Sequence, residues 1–107
     1  MRTLRFIVNG KNIKQDSTCD FSGLFPGKNS KVRAEFSFSS EWNNKVKVAA
    51  FWSMLDHEYE PQEIVDGACD IPVEALAKAT FKIQVLGKRK NDRIDTNKLT
   101  IRQGGKR

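Results

Sequence analysis

The side chains able to do chemistry are few and badly spaced for it. His57 is the only histidine and sits among acids, with no nucleophilic Cys or Ser motif beside it. A histidine can act as a general base only with a nucleophile in reach and a group to orient it. The expectation is therefore a solvated loop histidine. Cys19 and Cys69 stand 50 residues apart and form no CxxC pair. One His with two separated Cys does not match zinc spacing, and the acids between Asp56 and Asp70 lack the EF-hand pattern. Carboxylate pairs hydrolyse sugars when they flank a substrate, but acids on turns more often form a solvated face. The glycines at 23, 27, 67 and 87 are isolated and read as turn residues, with no phosphate-cradling GxGxxG or GxxxxGK[ST]. The expectation is a non-enzyme with no cofactor and no metal. Free, buried thiols are expected, although a disulfide between the two cysteines stays open at this point.

Charge points to partners instead. Residues 82–107 hold nine Lys or Arg against Asp92 and Asp95, a net +7, and the remainder of the +6 chain is close to neutral. The stretch from Asp56 to Glu74 reverses this, with seven acids and no Lys or Arg. Such separated blocks steer encounters and set register with a docked neighbour. The candidate partner-binding residues are Lys88, Arg89, Lys90 and Arg93 at a hairpin tip, with Arg102, Lys106 and Arg107 in the tail. The blocks would cancel within one molecule only if the 56–60 turn and the 88–93 tip shared one end. The same cations could instead contact nucleic acid phosphates. The aromatics available to stack on bases, Phe36, Phe38 and Phe81, lie on alternating strand positions that favour burial.

The elements that must hold these residues are strands. Leu4, Phe6 and Val8 alternate with polar neighbours, and Asn9-Gly10 is a hairpin signal leading to a short return over 11–15. Residues 16–31 form a long polar loop containing the turn Phe25-Pro26-Gly27, pinned by Phe21, Leu24 or Phe25. Val32, Ala34, Phe36 and Phe38 are the cleanest half-buried strand, and Trp42 follows at a corner. A strand fits 45–53, with Val48 and Phe51 inward. Tyr59 to Val65 is an edge strand because Pro61 interrupts it. Asp66-Gly67 is a second hairpin turn, and Pro72 starts one or two helical turns carried inward by Val73, Leu76 and Ala77. Phe81, Ile83 and Val85 mark a strand, Gly87 to Asp92 a basic tip, and Ile94, Leu99 and Ile101 a final strand fraying over 103–107. One all-β domain over 1–107 follows, a sandwich of seven to eight short strands with a helical turn near 72–79. The remaining core is expected from Cys69 and Ile71. Strands, a short helix and two further strands also fit an OB-like barrel.

Several of these segments resemble the small immunoglobulin-like modules of tailed-phage virion proteins, found in baseplate upper proteins and head-fibre or decoration proteins. The resemblance runs through Phe6-Ile7-Val8-Asn9-Gly10, Ala34-Glu35-Phe36-Ser37-Phe38-Ser39 with Glu41-Trp42, and Val65-Asp66-Gly67-Ala68-Cys69-Asp70-Ile71-Pro72. It continues in Lys28-Asn29-Ser30, Lys47-Val48-Ala49-Ala50-Phe51, Phe81-Lys82-Ile83-Gln84-Val85-Leu86-Gly87 and Ile94-Asp95-Thr96-Asn97. It implies an immunoglobulin-like sandwich and a structural role in the particle, with capsid or tail virion proteins as partners and many copies or a homo-oligomer. Such modules are usually followed by a fibre or receptor-binding region. Here the chain stops at Arg107, as a piece of a longer protein or a stand-alone attachment piece. The expected location is the virion, after synthesis in the bacterial host cytoplasm, since no signal peptide or membrane-spanning run is present. The alternatives are a basic nucleic-acid-binding protein of OB-like form and a phage-encoded inhibitor that meets a host protein through its acidic face.

Overall fold

The computed structural model describes residues 2–24, 26 and 31–103. Alternating residues fold as their pattern requires. In β1 (Arg2–Asn9), Leu4, Phe6 and Val8 are buried, and a turn at Gly10-Lys11 returns the chain as β2 (Asn12–Gln15). Gly10 has a φ of 59°, which is why glycine suits that turn. β3 (Val32–Phe38) lies beside β1 in parallel, Phe6 opposite Phe36. Parallel neighbours need a connection of a dozen residues or more, and β2 with the long loop supplies it. The loop is held down by Leu24, by Phe21 edge-on to Phe6 at 5.6 Å, and by the Arg2 guanidinium, which donates to the carbonyls of Asp20 and Ser22 at 2.7 and 2.6 Å. Phe25 and Gly27 lie outside the described residues.

A 3-10 turn at Ser40–Trp42 makes the corner, and Trp42 is fully buried with its indole N–H donating to the Gly10 carbonyl at 2.9 Å. β4 (Val46–Trp52) begins the second sheet and β5 (Gln62–Glu63) is its two-residue edge, short because Pro61 precedes it. Asp66 and Gly67 take positive φ and turn the chain into β6 (Ala68–Asp70). The helix α1 spans only Val73–Leu76. Its inward residues are Ala75 and Leu76, whereas Val73 is 62% exposed and Ala77 is exposed, so the expected inward stripe is turned by one to two positions. β7 (Thr80–Arg89) is the longest strand, followed by β8 (Asp92–Asp95) and β9 (Leu99–Arg102).

Two sheets pack as a β-sandwich, ordered β2-β1-β3-β6 and β5-β4-β7-β8, with β9 also on β7. One hydrophobic cluster fills the space between them, including Phe6, Trp42, Phe51, Phe81 and Ile101. Nine strands stand among the described residues where seven to eight were expected, because β8 and β9 are two halves of one strand broken by a bulge. Leu86 pairs with Asp95 and Ile83 with Leu99, so one extra residue is accommodated among Thr96, Asn97 and Lys98. The buried Thr96 hydroxyl accepts from the Val85 N–H at 3.0 Å and donates to the Asn97 carbonyl at 2.8 Å. Asn97 then crosses to the other sheet, where its Oδ1 accepts from the Ile13 N–H at 2.9 Å.

Two further expectations change. Gly87 is not a turn residue: it lies inside β7, inward-facing, against Trp42. Gln103 does not fray. It is buried, and its side-chain amide donates to the Leu76 and Lys78 carbonyls at 2.8 and 2.7 Å, satisfying groups that the end of α1 leaves open. Residues 104–107 lie outside the described residues.

Candidate docking face

β4 is apolar on both sides. Ala49 and Phe51 face the core, while Val46, Val48, Ala50 and Trp52 face outward along the second sheet. Val48, expected inward, therefore belongs to the outer surface: the inward alternate of this strand is Lys47, whose ammonium lies 5.3 Å from the centre of the Phe38 ring. On β7 the outward row is Lys82, Gln84, Leu86 and Lys88. Register sets Val46 beside Lys88, Val48 beside Leu86, and Lys88 beside Arg93.

These rows make a groove of about 600 Å³ on the outer face. Val46, Val48, Ala50 and Leu86 form its floor; Glu58 and Pro61 line one side, and Lys88, Lys90 and Arg93 line the other. Among the described residues, no ion pair involves Lys88 or Lys90, and Arg93 pairs with Asp95 at 3.0 Å. Lys90 sits at φ 54° in the hairpin tip, a conformation that favours Gly or Asn.

The far end of the face is closed by its own charges. Lys82 and Lys98 reach Asp56 at 3.0 and 3.4 Å, and Lys98 also covers the Trp52 ring at 3.8 Å. The hydrogen bond and charge of Lys82, then Lys98, hold the Asp56 carboxyl below its ordinary range. No ion pair joins the 56–60 turn to the basic tip among the described residues, because Trp52 pairs with Lys82 and Val46 with Lys88, about 20 Å away along the strand; only the Glu58 side chain reaches the groove that the tip also lines. The acidic stretch is partly neutralised by other cations, since Asp70 also pairs with Arg33 at 3.6 Å.

The expected binding residues separate. Lys88, Lys90 and Arg93 come together at the groove. Arg89 alternates to the opposite side of the hairpin from Lys88. Arg102 pairs with Thr80, at the other end of β7, so tip and tail are not one surface. Lys106 and Arg107 lie outside the described residues. Sequence reasoning missed Val46, Val48, Leu86, Glu58 and Pro61. The available signal was an internal strand with apolar residues on both faces.

The other chemistry-bearing groups stay dispersed. His57 is exposed in its turn, edge-on to Tyr59. Cys19 and Cys69 are free thiols, and only Cys69 is buried; Cys19 is half-buried, contrary to the expectation for both. Burial, with a smaller contribution from the Asp70 charge, pushes the Cys69 thiol up to about 12. Phe36 and Phe81 are buried and Phe38 packs against the core, so none of the three offers a stacking platform. No protein family, characterised protein or solved structure was found to match the chain.

Proposed function

We propose that this protein is a non-enzymatic attachment module of a tailed-phage virion, docking a neighbouring subunit on the outer face of its second sheet. The observation that carries the docking role is the apolar groove walled on one side by Lys88, Lys90 and Arg93. Isolated surface apolar residues need no explanation, but a contiguous apolar floor beside clustered cations is the pattern of an interaction site. The virion setting rests on the resemblance of the strand and turn segments to immunoglobulin-like phage modules, and head and tail are equally open to it. The nucleic-acid reading is weaker on one specific point. The aromatic of this face, Trp52, is covered by Lys98, and the groove floor is aliphatic, whereas sequence-tolerant strand binding relies on exposed aromatic rings.

Mass spectrometry of purified particles tests the proposal. Stoichiometric presence of the chain is expected, with attachment lost on K88E/K90E/R93E. Absence from particles, together with tight oligonucleotide binding, overturns it.

A further inference from the structure

We infer that the occupant of the groove is one amphipathic helix of a partner protein, with acidic residues at the end that lies over Lys88, Lys90 and Arg93. The inference rests on the groove being a docking site and adds what enters it. Three observations select a helix with that charge pattern.

The first is backbone chemistry. The groove floor is a sheet face, and the N–H and C=O groups of β4 and β7 beneath it are paired with each other from Val46–Lys88 to Trp52–Lys82. An extended segment laid on this floor finds no backbone partners there, and its own amides would be buried unpaired. A helix brings its backbone already satisfied, and covering a sheet face with a helix is a standard layer packing. The second is size. From Val46 to Ala50 the floor runs four residue steps, about 13 Å, which matches a helix of about 9 residues. The side walls stand on β8 and on the return from β4, leaving β4 and β7 between them. Three strand spacings, about 14 Å between wall backbones, admit one helix about 10 Å across.

The third is charge. Lys88, Lys90 and Arg93 gather at the Val46 end, and Glu58 stands at the Trp52 end, because Glu58 bridges to Trp52. An acidic cluster is therefore favoured at one end only, and the same cluster reversed would face Glu58. Electrostatic complementarity of this kind sets register and excludes wrong partners.

The experiment uses the full chain and hydrocarbon-stapled, fluorescent 15-residue probes, read by anisotropy. One carries a Leu stripe at i, i+3, i+4 and i+7 with three Glu in its last turn. A second replaces those Glu by Lys, a third is the first without its staple and with two central residues replaced by Pro, which forbids a helix, and the oligonucleotide dT15 is the fourth probe. The acidic helix is expected to bind at least tenfold more tightly than each of the others. The preference for Glu over Lys should invert in K88E/K90E/R93E, and binding should weaken in Val46→Gln, whose thermal midpoint stays close to wild type because Val46 is 63% exposed. Equal binding of the Glu and Lys helices overturns the charge assignment. Equal binding of the Pro-broken probe overturns the helix, and tighter dT15 binding overturns the protein partner. Particle attachment is measured alongside. If the chain binds particles but no helix, this inference falls and the attachment role stands; if it binds the helix but no particle, the virion setting falls alone.

Discussion

Trp42 lies directly beneath Gly87: a Cβ placed on Gly87 would sit 2.7 Å from Cζ3 and 2.8 Å from Cε3 of the indole. Real carbon atoms do not approach so closely, and the fully buried ring has no room to retreat. The widest side chain of the core and the absent side chain of β7 are thus one packing unit. Gly87→Ala should destabilise the fold by about 1–3 kcal/mol through overpacking. In a Trp42→Phe background the same change should cost less, because the smaller ring leaves space. Urea denaturation of the four proteins checks this, and equal costs in both backgrounds would contradict it.

The bulge makes a second prediction. Thr96 is buried, and its hydroxyl is the acceptor for the Val85 N–H. Thr96→Val keeps the shape and leaves that amide unpaired, which should cost about 1–3 kcal/mol. Thr96→Ser keeps the oxygen and should cost less. Denaturation midpoints, with hydrogen exchange at the Val85 amide, distinguish a lost hydrogen bond from a general loosening.

Cys69 predicts a pH dependence. Its thiol is raised from an ordinary 9.0 to about 12 in the folded protein, by burial first and then by Asp70. The unfolded chain gives up this proton near its ordinary value, whereas the folded chain keeps it. The contribution is therefore fully present below about pH 9 and is lost progressively as pH rises towards 12. At 1.36 kcal/mol per unit, the loss reaches roughly 4 kcal/mol. Cys69→Ala should flatten this alkaline decline relative to wild type, after its constant packing cost is subtracted. A decline of unchanged steepness would place the titration elsewhere. In the native protein at pH 8, a thiol reagent should label the half-buried Cys19 well before Cys69.

Charge at the groove should separate binding from folding. Lys88 and Lys90 are exposed, and exposed charges contribute about 0–1 kcal/mol each to stability. K88E/K90E/R93E should weaken particle attachment at least tenfold with the thermal midpoint within a few degrees of wild type. Arg89→Glu, on the other side of the hairpin, and Arg102→Glu, at the far end of β7, should leave attachment unchanged. Attachment that survives the triple change and molar salt would show that the contact is apolar.

What could be read from the sequence follows from where one physical rule acted alone. β1, β3 and the first half of β7 bury one face, so their period of two is visible in Leu4-Phe6-Val8, Val32-Ala34-Phe36 and Phe81-Ile83-Val85. Asp66-Gly67 was legible because positive φ restricts the residues a tight turn accepts. β4 misled because it is apolar on both faces: Val48 and Ala49 are both plausible core residues, and only pairing across β7 decides between them. Gly87 was read as a turn because glycine signals either backbone freedom or close approach, and the approaching Trp42 is 45 residues away in the chain. The same limit applied to the site. Lys88, Lys90 and Arg93 were visible as a charge cluster, while their apolar floor comes from β4, and the misplaced Arg102 was joined to them by sequence proximity where the sheet keeps them apart.

The contact from Asn97 to Ile13 spans 84 residues and ties the edge of the first sheet to the bulge of the second. A ribosome adds about 5–20 residues per second in general, so the acceptor emerges roughly 4–17 s after the donor. Throughout that interval the Ile13 amide on the outer side of β2 lacks the acceptor that Asn97 supplies. An open edge is a template for pairing with another chain, and nascent copies of one chain on adjacent ribosomes would meet at this stage. β2 carries Lys14, and Lys11 stands in the turn just before it, cations that repel a second copy of the same edge. The same cations keep their use in the finished fold, where β2 pairs only with β1 and remains the sheet edge, guarded by Asn97, which accepts from the Ile13 N–H and donates to the Lys11 carbonyl.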